Sequence, residues 1–551
     1  MSCRDNIYGE NSLDYMVNSY RGESYVQYIY EPSCTVALDS VQMNIYKEVE
    51  RVTPEAIEQF GFSSIPNLYG LMSEEALEDS GVLQVRRTPY LDLYGQGVLV
   101  GIVDTGIDYT HEAFIEADNT SRITALWDQT QRDGEGSERF PYGAIYTKAQ
   151  LDEALASDNP RERVPTVDEN GHGTFLAGIM AGKENREQGF SGVAPLSTLV
   201  VVKCKEAKKS YRDYYGVPDG VPAYQENDIL AGISFILQTA WEQQKPVVIC
   251  FGMGSNMGSH DGGSYLSQYM ERYTTADGVS ILTCIGNEGN SAHHHKIQRK
   301  EDTINLNVEK SLNGFMAQLW WRTPGALLLS LISPSGETYS DIAAETGQRR
   351  RLLFRAENTT VELFFATSSH LTRERVVSMR FLSPKTGIWK IIVQTDYENP
   401  GYHMWLPISE FLSQEVVFLN PDPDNTLSSA GTGEYTIMVS AYNVREQSLY
   451  LSAGRGYTPV GHIKPEIVAP GVNIRSTLPG NRYGTVTGTG VATAFATGVA
   501  ALFMQYYEEQ GTIANGIDIR ETFIEGCIPK GNGFPNTEWG FGILNAYDSL
   551  T

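Results

Sequence analysis

No apolar run in this 551-residue chain approaches the roughly 18 residues that cross a bilayer, so a spanning helix is not expected. The first 25 residues contain no Lys and no apolar core segment, which argues against a secretory signal. Basic charge is scarce: 42 Lys and Arg stand against 67 Asp and Glu, a formal net charge of −25. That imbalance speaks against nucleic acid or an anionic membrane as partner, and its plainest consequence is solubility. Cysteine is scarce as well. Cys3, Cys34, Cys204, Cys250, Cys284 and Cys527 are scattered, with no CxxC spacing, so neither a disulfide framework nor a zinc site is expected. Cys204, Cys250 and Cys284 lie in or beside apolar runs, where a free thiol behaves as a small hydrophobe. These absences together point to synthesis in a reducing cytoplasm and to no cofactor.

What is present is a globular composition, 41% hydrophobic, at a length beyond one ordinary core. Residues 1–85 read as a small α+β unit: 24–30 alternates like a strand, and 54–60 and 73–80 look helical. Such a unit is too small to be robust alone and should dock on the larger remainder of the chain. From 86 to 298, apolar runs at 97–103, 199–202, 247–251 and 279–285 alternate with helical patterns such as 223–244. This alternation predicts an α/β fold, a parallel sheet with helices on both faces and a site beyond the carboxyl ends of its strands. Residues 115–168 are polar and loop-rich. From 299 to 425, six short strand-like runs separated by turn residues predict an inserted β-sandwich or jelly roll. The α/β pattern resumes over 426–551.

Four pieces carry chemistry. Asp104 closes an apolar strand in Asp-Thr-Gly-Ile-Asp108. His172 opens an apolar helix inside Gly171-His-Gly-Thr174. Asn287 lies in Gly286-Asn-Glu-Gly-Asn290 after another strand. Gly488-Thr-Gly-Val491 is a tight turn that runs into a buried helix. A serine nucleophile needs a neutral imidazole as base, and the imidazole needs a buried carboxylate to fix its tautomer. An Asn amide together with a helix N-terminus can hold an oxyanion. Taken singly, each residue is more often a cap or turn former; in this order and on these elements they are specific. The order Asp, His, turn-helix is that of the subtilisin triad.

On these motifs the chain resembles the subtilases. Gly101-Ile-Val-Asp-Thr-Gly-Ile-Asp108, Gly171-His-Gly-Thr-Phe-Leu-Ala-Gly178 and Gly488-Thr-Gly-Val-Ala-Thr-Ala494 are similar to that family's Asp, His and Ser blocks. Within it, the short N-terminal unit and the β-rich insert resemble the Csp germination proteases of spore-forming clostridia and their gut relatives. The resemblance implies a subtilisin-like sheet, a prodomain at 1–85, Asp104 as triad carboxylate, His172 as general base and Asn287 as oxyanion donor. It implies that Gly252, Met253 and Gly254 match a Ser-Leu-Gly stretch that pairs with substrate backbone. It also implies a protein substrate or partner, a cortex hydrolase zymogen or other Csp proteins, and packaging in the spore.

The departure is Gly490, where the family has its nucleophilic Ser. Thr487, Thr489 and Thr493 are close in sequence, but their side chains should point elsewhere. Two readings are open. One is a pseudoprotease that signals in germination, with residues 1–85 left uncleaved. The other is an active zymogen-activating endopeptidase whose serine has been exchanged for glycine. Minor candidates read blandly: His293-His-His295 as an exposed loop rather than a metal cluster, Gly286–Asn290 as a turn rather than a phosphate cradle, and Asp108 with 152–169 as calcium ligands lacking any supporting spacing.

Overall fold

The computed structural model describes residues 3–18, 23–71, 80–88, 90–310, 312–367, 374–412 and 415–551. The apolar runs become the strands of a nine-stranded sheet. From one edge its order is Ser448–Leu449, Ile437–Asn443, Val279–Cys284, Val247–Phe251, Leu99–Asp104, Thr198–Lys203, Ile123–Asp128 and Ala144–Thr147, with Ile467–Pro470 also paired to Ile437–Asn443. The pairs are parallel except the two that involve Ser448–Leu449 and Ala144–Thr147. Successive side chains of a strand point to opposite faces. Accordingly Val100, Ile102, Leu199, Val201, Val248 and Cys250 enter one core, with the helices His172–Ala181 and Thr489–Glu509. Leu99, Val103, Val200, Val202, Val247 and Ile249 enter the other, with the helix Glu226–Gln243. A strand buried on both faces has no use for polar alternation, which is why these runs are continuously apolar. Gly101 lets the Glu226–Gln243 helix approach: a Cβ there would stand 2.4 Å from Ile236 Cγ2.

The N-terminal unit is a three-stranded antiparallel sheet, Ser12–Asn18, Gln42–Glu48 and Cys34–Ala37, with short helices. Residues 24–30, expected as a strand, belong instead to the helix Glu23–Tyr30. The reason is tertiary. Val26 and the half-buried Tyr30, one helical turn apart, pack on the same cluster, while Tyr28 between them is 80% exposed. Alternation would have buried Tyr28. The helix expected at 54–60 is shorter, Pro54–Ile57; the one at 73–80 lies almost wholly outside the described residues. Cys3 and Cys34 form a disulfide that ties the first helix to the Cys34–Ala37 strand, contrary to the expectation of no disulfide. A single long-range pair leaves no spacing signature. The other four cysteines are free and buried.

Residues 115–168 hold more regular structure than their polarity suggested: the strands Ile123–Asp128 and Ala144–Thr147 and the capped helix Lys148–Leu155. Between positions 294 and 418 the chain forms two antiparallel sheets, of six and five strands. Their facing sides meet through Phe315, Leu319, Val361, Met379, Ile304, Leu329 and Trp389. The other side of the six-stranded sheet is buried too: Met316, Trp320 and Trp405 pack on the N-terminal unit. His293, His294 and His295, read as an exposed loop, are buried at 1, 1 and 7% exposure. The strand His294–Ile297 pairs with Tyr402–Trp405, so the run is internal although it is polar.

Candidate functional site

The site lies at the carboxyl ends of the central strands. Asp104 ends its strand fully buried, and Oδ1 accepts the Thr105 amide at 2.8 Å and His172 Nδ1 at 2.7 Å. Because an ionised carboxylate can only accept, Nδ1 carries the proton. His172 is fixed by its neighbours. Gly171 takes φ +92° before the helix, and Asp168 accepts from the Gly171 amide (2.8 Å) and from the amide and hydroxyl of Thr174 (2.9 and 2.6 Å). The Gly173 amide donates to Thr105 Oγ1 at 2.9 Å. A Cβ on Gly173 would fall 2.1 Å from the Gly106 carbonyl oxygen, so glycine is needed for the helix and the Asp104 turn to meet.

Asn287 is tied to the final turn. Its Oδ1 accepts from the amide and the hydroxyl of Thr489 (3.2 and 3.0 Å), while Thr489 Oγ1 accepts the Gly286 amide (3.2 Å). The Asn287 amide N–H groups bond to nothing among the described residues. Gly490 is the second residue of the Thr489–Glu509 helix and is buried. Its backbone is helical, so its conformation does not demand glycine. The neighbouring threonines are engaged. Thr487 Oγ1 accepts the Asn473 amide, Thr489 holds Asn287, and Thr493 donates to the Thr489 carbonyl at 2.8 Å. The His172–Ala181 and Thr489–Glu509 helices, opened by His172 and by the final turn, pack against each other.

Gly252 lies against the pair: a Cβ on it would be 3.6 Å from His172 Cε1. Met253 and Gly254 pair antiparallel with Leu71 and Gly70, and Leu68 and Tyr69 pair in turn with Gln225 and Tyr224. The edge expected to receive substrate backbone is therefore occupied by the chain's own 68–71 segment.

One buried group was not singled out in the sequence. Glu288, next to Asn287, accepts from His293 Nδ1 (2.8 Å) and from the Ser409 amide (2.9 Å). Burial opposes its charge, but His293 and Ser409 outweigh that and hold its carboxyl below the usual range. His293 is only five residues on, but Ser409 comes from the far end of the insertion, so no local pattern announces that second partner. Asp108 is saturated by Thr110, Gly480 and Arg161. Among the described residues no group of three His, Cys, Asp or Glu is placed to hold a metal ion. None of their helices is long and apolar enough to cross a membrane.

A parallel sheet between two helical layers, with a buried Asp–His pair and an Asn-held helix start on helices that pack together, defines a subtilisin-like scaffold. A sequence profile of the subtilase family matches residues 95–316 and 419–542, more than half of the chain, and the chain belongs to that family. The unmatched 317–418 falls within the two-sheet insertion. The solved structure of the Clostridium perfringens CspB protease superposes with a TM-score of 0.75 at 29% identity, covering 86% of this chain and 97% of that one. The C5a peptidase of Streptococcus pyogenes serotype M1 is 21% identical over 453 residues, 76% of this chain and 35% of that protein. Serine protease AprX of Bacillus subtilis (strain 168) is 30% identical over 152 residues, 24% of this chain and 33% of that protein. The chain thus spans about a third of the length of these two curated relatives.

Proposed function

We propose that the chain is a Csp-type pseudoprotease, acting in spore germination signalling by binding a protein partner rather than by cleaving one. The observation that carries this reading is Gly490. The helix start where a subtilase holds its serine has no side chain, and the adjacent threonines are bound elsewhere. Asp104, His172 and Asn287 keep the carboxylate, base and oxyanion positions, but without a nucleophile no acyl-enzyme forms. In subtilisin itself, removal of the serine lowers kcat by about 10⁶. The N-terminal unit then acts as a prodomain that stays covalently attached, with 68–71 filling the acyl-side cleft. The two-sheet insertion plays the part of the Csp jelly roll. A cortex hydrolase zymogen or another Csp protein is the partner this reading names.

The test is the intact mass of the purified chain and its reaction with a fluorophosphonate serine probe. The expected result is a full-length, unlabelled protein. A chain cut within or after the N-terminal unit, or a labelled one, sinks the proposal. The retained Asp104–His172 bond at 2.7 Å favours a second reading, an endopeptidase whose serine has been exchanged. Under it, Gly490→Ser self-cleaves and takes up the probe; under the first, the serine chain stays at least far slower than a working subtilase.

A further inference from the structure

Asp104 has no solvent-exposed surface, yet only one of its carboxylate oxygens is satisfied. Oδ1 takes two donors, from His172 and Thr105, while Oδ2 has no hydrogen-bond partner among the described residues. A buried anionic oxygen without a donor is unfavourable, and a satisfied one would be held in a fixed plane. Gly252 stands where the missing donor would be attached. A Cβ there would lie 3.9 Å from Oδ2, so a hydroxyl one bond further on comes within hydrogen-bonding range. The backbone of Gly252 is not left-handed, so conformation does not require glycine. The volume is filled instead by Leu176 Cδ1, 2.6 Å from the Cβ position and the flexible end of a side chain on the helix that His172 opens.

We infer that Gly252 with Leu176 is a second disarmed position of this site, separate from Gly490. The hydroxyl donor that would orient the Asp104 carboxylate is gone, and a leucine has closed over the gap. The inference rests on reading Asp104 and His172 as the carboxylate and base of the scaffold. Residue 252 would be a positioning residue: it touches no substrate atom in this role and acts through Asp104 on the direction and strength of the His172 hydrogen bond. Serine at 490 alone therefore restores less than serine at 490 and 252 together.

The test uses the full chain labelled with ¹⁵N-histidine. The His172 Nδ1–H proton resonance, assigned by its loss in His172→Gln, is compared in Leu176→Val, Leu176→Val/Gly252→Ser and Leu176→Val/Gly252→Ala. The expected result is an upfield shift with serine only, because a carboxylate shared with a second donor accepts less strongly from the imidazole. The thermal midpoint of the serine chain should also exceed that of the alanine chain. No shift, or the same shift with alanine, overturns the inference. If Leu176→Val does not fold, Gly252→Ser on the native leucine gives the same readout. With Gly490→Ser added, fluorophosphonate labelling should be about tenfold faster or more when residue 252 is serine than when it is glycine. Equal labelling rates would overturn it too. The resonance needs no nucleophile, so it reports on residue 252 even if the pseudoprotease reading fails.

Discussion

Asp14 shows how much one side chain in the N-terminal unit is asked to hold. It is fully buried and pairs with Lys208 Nζ, which also donates to the carbonyls of Asn6 and Ser12 at 3.1 and 2.9 Å. The other Asp14 oxygen accepts from Gln225 Nε2 at 3.1 Å. Burial pulls the Lys208 amine below its usual range, with Asp14 as the main counterweight. Removing one partner of a buried pair leaves an uncompensated charge, which costs more than the pair itself contributes. Asp14→Ala is therefore expected to lower stability by about 3–5 kcal/mol in urea unfolding. Lys209→Ala, which breaks the exposed pair with Asp213, should change little. At this scale the sequence was informative for Asp104, His172 and Asn287, which motif order singled out. It was silent on Asp14, whose partners Lys208 and Gln225 lie about two hundred positions along the chain and leave no local pattern.

At the scale of elements, the contact between the Leu99–Asp104 strand and the Glu226–Gln243 helix is set by Gly101. Gly101→Ala would drive a methyl to within 2.4 Å of Ile236 Cγ2, and an already filled core has no room to yield. The expected loss is about 1–3 kcal/mol, read from the denaturation midpoint, with the fold kept. Doubling the change as Gly101→Ala/Ile236→Val should recover little of it, because Val keeps the γ carbon that the new methyl meets and removes only Cδ1, 3.2 Å away. The central strands were legible because a strand covered on both faces must be apolar throughout. The helix Glu23–Tyr30 was not: its tyrosines alternate with other residues like a strand, and only the docking of Val26 and Tyr30 on neighbouring aromatics decides the period. The capped helix Lys148–Leu155 was missed because a mostly polar surface helix buries only Leu151 and Ala154.

For the whole molecule, the insertion meets the subtilase part through stacked rings. His260 lies 3.9 Å from Trp405 at an interplanar angle of 9°, and His294 and His403 stack on the same indole and on each other. His260 Nε2 donates to the Asn256 carbonyl, and His294 Nε2 meets His403 Nδ1 at 3.0 Å. Burial brings His260 down to about 4 and His403 to about 3, and it lowers His294 as well. A depressed imidazole binds fewer protons folded than unfolded over the interval between its two values. Its contribution is complete above the unfolded value near 6.5 and is lost as the pH falls towards 4, by up to about 1.4 kcal/mol per pH unit for each such group. The thermal midpoint should therefore drop steeply from pH 6.5 to 4. His260→Phe, which keeps the stack without the titration, should make that drop shallower. An unchanged slope would show that the stacked cluster does not govern acid stability.

The linear chain already holds the order of the catalytic-type motifs, the apolar strands and the glycine at 490. Each is written locally, as a residue type beside its neighbours or as a continuous apolar run. The surroundings of these features were set by packing in three dimensions. Packing laid residues 68–71 on the Met253–Gly254 edge, buried the three histidines, and left Asp104 Oδ2 facing Gly252 with Leu176 in the gap. These are contacts between residues tens to hundreds of positions apart. Their free energies depend on burial and distance, neither of which a linear chain displays.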